Sequence, residues 1–158
     1  MSKSFIRKHV FLSLLIVTPA GFLFKFYAGP ALGWFNNYGA GLVYEIFWIL
    51  VVFFFLPKRE LASRIAIWVF TVTCLLEFLQ LWHPLFLEKI RSCFWGSALI
   101  GTTFVWWDFP HYAAGCMIGW WWIRKISQAV SLAAERNEVV STLEPQNRRI
   151  TNRRISKE

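Results

Sequence analysis

Apolar runs separated by short polar joints fill most of the first 126 positions. The first, Val10 to Phe24, follows Lys3, Arg7, Lys8 and His9. The second, Tyr38 to Leu56, is closed by Pro57-Lys58-Arg59, and the third, Leu61 to Trp82, by His83-Pro84. The last clear run, Phe109 to Ile123, is followed by Arg124-Lys125. The longer runs approach the roughly 20 residues that carry a helix across a bilayer. The pattern therefore predicts an all-α, polytopic membrane protein with four transmembrane helices, over about 10–28, 38–56, 61–82 and 109–124. Pro19 and Gly21 are tolerable within the first, because neighbouring helices can satisfy the carbonyls they release.

A positive start before an apolar run also describes a signal peptide, and Ala28 to Ala31 offers a cut site. The run continues past Lys25 as FYAGPALGWF and further spans follow, so an uncleaved signal anchor is expected. Between the third and last spans, Ser92 to Trp107 is uncharged but short, and contains Gly96 and Gly101. It reads as part of a short interfacial or re-entrant helix, about 86–100, plus a loop. Charge supports that choice. With four spans the inner side holds Lys3, Arg7, Lys8, Lys58, Arg59, Arg64, Arg124 and Lys125, against Lys25, Lys89 and Arg91 outside. A fifth span would move Arg124, Lys125 and the basic tail outside, against the bias of Lys and Arg toward cytoplasmic loops. Both termini are therefore expected in the cytoplasm, with residues 1–126 forming the membrane domain.

Composition agrees. The chain is 56% hydrophobic and 16% charged, too apolar for an ordinary soluble domain at about 45–50% apolar. Aromatic residues reach 19%, suiting helices that meet both membrane interfaces. The net charge of +8 lies in loops and a tail, so membrane orientation explains it without nucleic acid, which is not an expected partner. Residues 127–158 turn polar and repeat NRRI, and read as a basic, largely disordered cytoplasmic tail with a weak attraction to anionic headgroups. Cys74, Cys93 and Cys116 lack metal or CxxC spacing and read as buried, inert core residues. HExxH, Walker, GxSxG and dinucleotide motifs are absent from the sequence, so no metal and no cofactor is expected.

The polar residues inside the apolar runs gather at one level. Glu77 and Gln80 are three apart and share a helix face, joined by Thr73. Counting from Tyr38, Glu45 lies roughly 10 Å inside the outer boundary, and Glu77 lies roughly 9 Å inside counting from His83. Arg91 is the expected partner of Glu77, since a guanidinium can hold a carboxylate through two hydrogen bonds. Two close carboxylates can alternatively share a proton, and Glu45 has Lys25 as another candidate partner. Asp108, His111 and Tyr112 stand at the same outer rim. Gly115 and Gly119 form a GxxxG stripe suited to close helix packing, expected to press Asp108 toward the third span. Ionisable groups within spans favour a functional site over a structural one. The candidate cluster is Glu45, Glu77, Gln80, Arg91, Asp108, His111 and Tyr112.

Glu77-Phe-Leu-Gln80-Leu, Arg91, Gly101-Thr-Thr-Phe104 through Trp107-Asp108-Phe, Tyr112, Gly115 and Gly119 resemble the bacterial membrane family called "domain of unknown function 2809". The similarity runs from about Thr18 to Arg124 and includes Asn37-Tyr38-Gly39. The wording LEFLQLWHP and WWDFPHY is most similar to cyanobacterial members, which implies a bacterial inner or thylakoid membrane. The pattern E-x-x-Q, an Arg, then D-x3-N-x2-G-x3-G of the VanZ-like family is a more distant likeness. Tyr112 stands where that family has Asn, and the interval from Arg91 to Asp108 is longer, so a shared ligand does not follow. Two classes of function fit. One is a pocket at the outer level that binds, or also modifies, a lipid-linked or amphipathic molecule. The other is a non-enzymatic accessory or assembly subunit of a larger membrane complex. A proton or ion pathway ranks third, because the inner halves of the spans carry no ionisable relay.

Overall fold

The computed structural model describes residues 3–29, 33, 38–100 and 103–155. Among the described residues every regular element is a helix. These are α1 (Lys3–Lys25), α2 (Ala40–Phe55), a 3₁₀ turn (Arg59–Leu61), α3 (Ala62–Leu79), α4 (Leu85–Arg91), α5 (Phe94–Ile100) and α6 (Asp108–Ile155). Prolines punctuate them. Pro57 separates α2 from the 3₁₀ turn. The extended backbone of Pro84, at φ −73° and ψ 149°, starts α4, and its carbonyl accepts from the amides of Leu87 and Glu88. His83 precedes that proline and is thereby biased away from helix. The end of α3 tightens into i→i+3 bonds, with the amides of Gln80, Leu81 and Trp82 donating to Glu77, Phe78 and Leu79.

Helix α2 packs against α1, α3 and α6. Its Ile46, Ile49, Leu50 and Phe53 share the core with Ile6 and Val10 of α1, Ile65 and Val69 of α3, and Cys116 and Ile123 of α6. Those positions on α2 recur at helical spacing, so one face is buried while Phe55, at its end, stays exposed. Among the described residues, two stretches are long and apolar enough to cross a membrane, Lys3–Lys25 and Arg59–Leu79, and the shorter Ala40–Phe55 is also apolar.

Several expectations are revised. Helix α1 runs from Lys3 to Lys25, so it contains most of the first expected span and extends ahead of it, where the cationic residues are competent helix formers. Pro30 and Ala31 of the candidate cut site lie outside the described residues. The helix expected over about 86–100 is two helices broken at Ser92 and Cys93. There the Ser92 hydroxyl donates to the Lys89 carbonyl and the Cys93 thiol to the Ile90 carbonyl, competing with the helical ladder. A Cβ at Gly96 would fall on the Ile90 carbonyl, so glycine is what lets α5 fold back on α4. Residues 127–155, expected to be largely disordered, continue α6 as helix. Between Gly119 and Pro145 no glycine or proline interrupts it, and Ala, Leu, Glu and Arg favour helix despite the polar composition. Cys116 is buried as expected, but Cys74 is only half-buried and Cys93 is exposed.

Candidate functional site

The polar face expected on α3 is present. Thr73, Glu77 and Gln80 are buried, while Leu75 and Phe78 face outward. Thr73 spends its hydroxyl on the Val69 carbonyl at 3.0 Å. Glu77 is 1% exposed and gathers donors from three places. Oε2 accepts from Gln80 Nε2 at 2.7 Å and from the Tyr112 hydroxyl of α6 at 3.0 Å. Oε1 accepts from the Val105 amide, in the loop before α6, at 2.9 Å. One carboxylate thereby ties α3, that loop and α6 together.

Arg91 does not join it. Although buried, its guanidinium turns to the open end of α3, where Nη2 donates to the Leu79 carbonyl at 2.9 Å and Nη1 to the Trp82 carbonyl at 3.1 Å. The expected Glu77–Arg91 pair is therefore replaced by a C-terminal cap. Carbonyls at the C-terminal end of a helix attract a cation, and that of Leu79 accepts from Arg91 as well as from the Trp82 amide, while Glu77 already has three nearer donors. Nη1 also donates to Glu88 Oε1 at 3.2 Å, and Nε has no hydrogen-bond partner among the described residues. His83 Nδ1 lies 2.7 Å from the same Glu88 oxygen. That bond requires the proton on Nδ1, so the 3.4 Å approach of Arg91 Nη1 to His83 is two donors converging on one acceptor.

The hydrogen bond from His83, and then that from Arg91, holds the Glu88 carboxyl below its ordinary range. A depressed acid contributes stability that is present above its unfolded value and is lost as pH falls through the lower folded value. Replacing His83 with Ala should raise the Glu88 midpoint toward the ordinary carboxylate range, as read by side-chain carbonyl NMR titration. An unchanged midpoint would show that Arg91 alone sets it.

Glu45, on α2, is fully buried and lies against α6 rather than against Lys25. Its Oε2 accepts from the Cys116 thiol at 3.0 Å, and Oε1 has no hydrogen-bond partner among the described residues. Glu45 and Glu77 thus engage separate donors and do not share a proton through a direct bond. The glycine stripe of α6 meets α2, not α3. A Cβ at Gly115 would stand 2.6 Å from the Leu42 carbonyl oxygen and 2.8 Å from Glu45 Cβ. One at Gly119 would stand 2.9 Å from Ile49 Cδ1. Leu42, Glu45 and Ile49 form the matching face of α2, because their spacing of three and four follows the helical period.

Asp108 begins α6, where a carboxylate suits the positive end of the helix dipole. His111 stacks on Tyr38 with ring centroids 4.6 Å apart, and its Nδ1 lies 2.7 Å from the Trp107 carbonyl, so it braces the start of α6. No group of three or more His, Cys, Asp or Glu suited to a metal occurs among the described residues. Of the seven candidates, Glu77, Gln80 and Tyr112 converge directly. Arg91 forms a neighbouring cap, Glu45 a deeper contact, and Asp108 and His111 the adjoining rim. Sequence reasoning missed Cys116, Glu88 and the Val105 amide. Cys116 lies four residues after Tyr112, on the face that also carries Asp108, so that periodicity could have revealed it. An amide has no sequence signal.

The family model described as "Protein of unknown function (DUF2809)" matches residues 31–116, which span Glu45, Glu77, Tyr112 and Cys116. No curated protein matches the chain, and no solved structure matches it.

Proposed function

Because the chain belongs to the DUF2809 family, whose description carries no activity, we propose a function from geometry and sequence: a small, non-enzymatic, four-span protein that serves as an accessory or assembly subunit of a larger membrane complex. In this reading α1, α2, α3 and the first part of α6 cross a bacterial inner or thylakoid membrane, with both termini cytoplasmic. The apolar stretches and the excess of Lys and Arg at one end support it. The polar cluster acts as an internal lock. Glu77 is occupied by Gln80, Tyr112 and Val105, and Arg91 is occupied by helix carbonyls.

The observation that carries the proposal is the far part of α6. Beyond Arg124 the helix continues for about 47 Å at 1.5 Å per residue. Leu132, Val139, Val140 and Leu143 lie on one side of it, interrupted by Arg136, and each is more than half exposed. An apolar stripe on a helix outside the bilayer calls for a protein surface to cover it. Purification in mild detergent tests this. The full chain should bring down a stoichiometric partner, and a chain ending after Val130 should lose it while remaining membrane-inserted. A full chain that purifies alone, as one copy, sinks the proposal.

The outer-level pocket for a lipid-linked or amphipathic molecule is the second reading. It is favoured by Glu45 Oε1 and Arg91 Nε, both buried without hydrogen-bond partners among the described residues. Headgroup density beside either atom in an experimental map would support it, and well-defined density with nothing there would remove it.

A further inference from the structure

At the other end of the bundle, α1 and α6 frame a cleft of about 430 Å³. His9 comes from α1, and Trp121, Trp122, Lys125, Ile126 and Ala129 come from α6. The walls are mostly apolar, and the two polar side chains are both basic types. Their local partners leave both available. Nδ1 of His9 bonds the Phe5 carbonyl of its own helix at 3.0 Å, which leaves Nε2 for a ligand. Lys125 is exposed, has no carboxylate partner among the described residues, and sits with Nζ 5.6 Å from the Trp121 ring centre. Arg7, two residues before His9, is already committed to α2 through the Phe54 carbonyl at 3.2 Å.

We propose that this cleft binds one anionic phospholipid, with its phosphate at Lys125 and His9 and an acyl chain along Trp121, Trp122 and Ile126. The match is one of chemistry and level. Arg124 and Lys125 mark the cytoplasmic boundary in the four-span reading, where anionic headgroups concentrate, and basic pockets between helices on that side suit them. Tryptophan prefers the same depth, with an apolar ring and a polar edge. A free phosphate would gain nothing from the apolar walls, so the ligand must bring a tail. The charge of Lys125 gives the preference for a net-negative headgroup over a zwitterionic one.

The inference rests on the membrane reading above, and its test separates the two. Extraction of the chain by alkaline carbonate would overturn both. For the inserted full chain, native mass spectrometry from nanodiscs with equal phosphatidylglycerol and phosphatidylcholine reads which lipid stays bound. Retention of phosphatidylglycerol should exceed phosphatidylcholine by about fivefold, as expected for one well-placed cation near the surface. Lys125→Gln should bring the ratio near parity with the helical circular dichroism unchanged, since the side chain is exposed. Lys89→Gln, in α4 at the opposite end of the bundle, should leave it unaltered. The cleft proposal is overturned by parity in the full chain, or by a preference that survives Lys125→Gln but disappears when residues 131–158 are removed. Displacement of the lipid by inorganic phosphate also overturns it, because that would mark a bare anion site.

Discussion

Glu77→Ala should lower the thermal midpoint of the full chain in detergent by roughly 10 °C, as read by tryptophan fluorescence. The substitution leaves the Val105 amide, the Tyr112 hydroxyl and the Gln80 side chain without their shared acceptor. A buried donor stranded in this way costs about 1–3 kcal/mol. Water reaching the loop side offsets part of the sum, which leaves a loss of about 3–5 kcal/mol, large beside a total stability of about 5–15 kcal/mol. Glu77→Gln keeps one acceptor oxygen and turns an amide against the remaining donors, so it should fall between wild type and Ala. A midpoint for Glu77→Ala within the error of wild type would show that Glu77 does not hold the loop before α6 to the bundle.

The second large effect is expected at Gly115. In Gly115→Ala the new methyl meets the Leu42 carbonyl oxygen, its Cα at 3.2 Å and Glu45 Cβ. These atoms belong to, or sit directly on, a helix backbone that cannot yield locally, so α2 and α6 must separate. Overpacking of this kind costs about 1–3 kcal/mol. It would also stretch the contact between Glu45 and Cys116. Gly119→Ala meets Ile49 Cδ1 first, the far end of a side chain that can change rotamer. The damage should therefore rank Gly115→Ala well above Gly119→Ala in the same thermal assay. The reverse order would contradict the α2–α6 contact.

How far these sites were legible depends on whether their signal is periodic. The stripe of Thr73, Glu77 and Gln80 could be read because residues three and four apart must share a helix face. The breaks at Pro57 and Pro84 could be read because proline lacks an amide and restricts the residue before it. The partner of Arg91 could not. A carboxylate is the obvious partner by charge, but which acceptors stand nearest depends on where the chain turns after α3. The short loop brings Arg91 back to the carbonyls of Leu79 and Trp82. The helical state of residues 127–155 was hidden for another reason. Low hydrophobicity suggests disorder, whereas up to Pro145 local helix propensity without an interrupting glycine or proline is enough to continue an existing helix.

By itself the sequence determined the all-helical class, the apolar stretches, the shared face of Glu77 and Gln80 and membership of the family. Each follows from local composition, chain periodicity or motif spacing. Only the tertiary structure decided that Glu77 answers to Tyr112 and Val105, that Arg91 caps α3, and that Gly115 meets Glu45 and Leu42. Hydrogen bonds and steric contacts act over about 3 Å, and no spacing along a chain specifies which distant groups come that close.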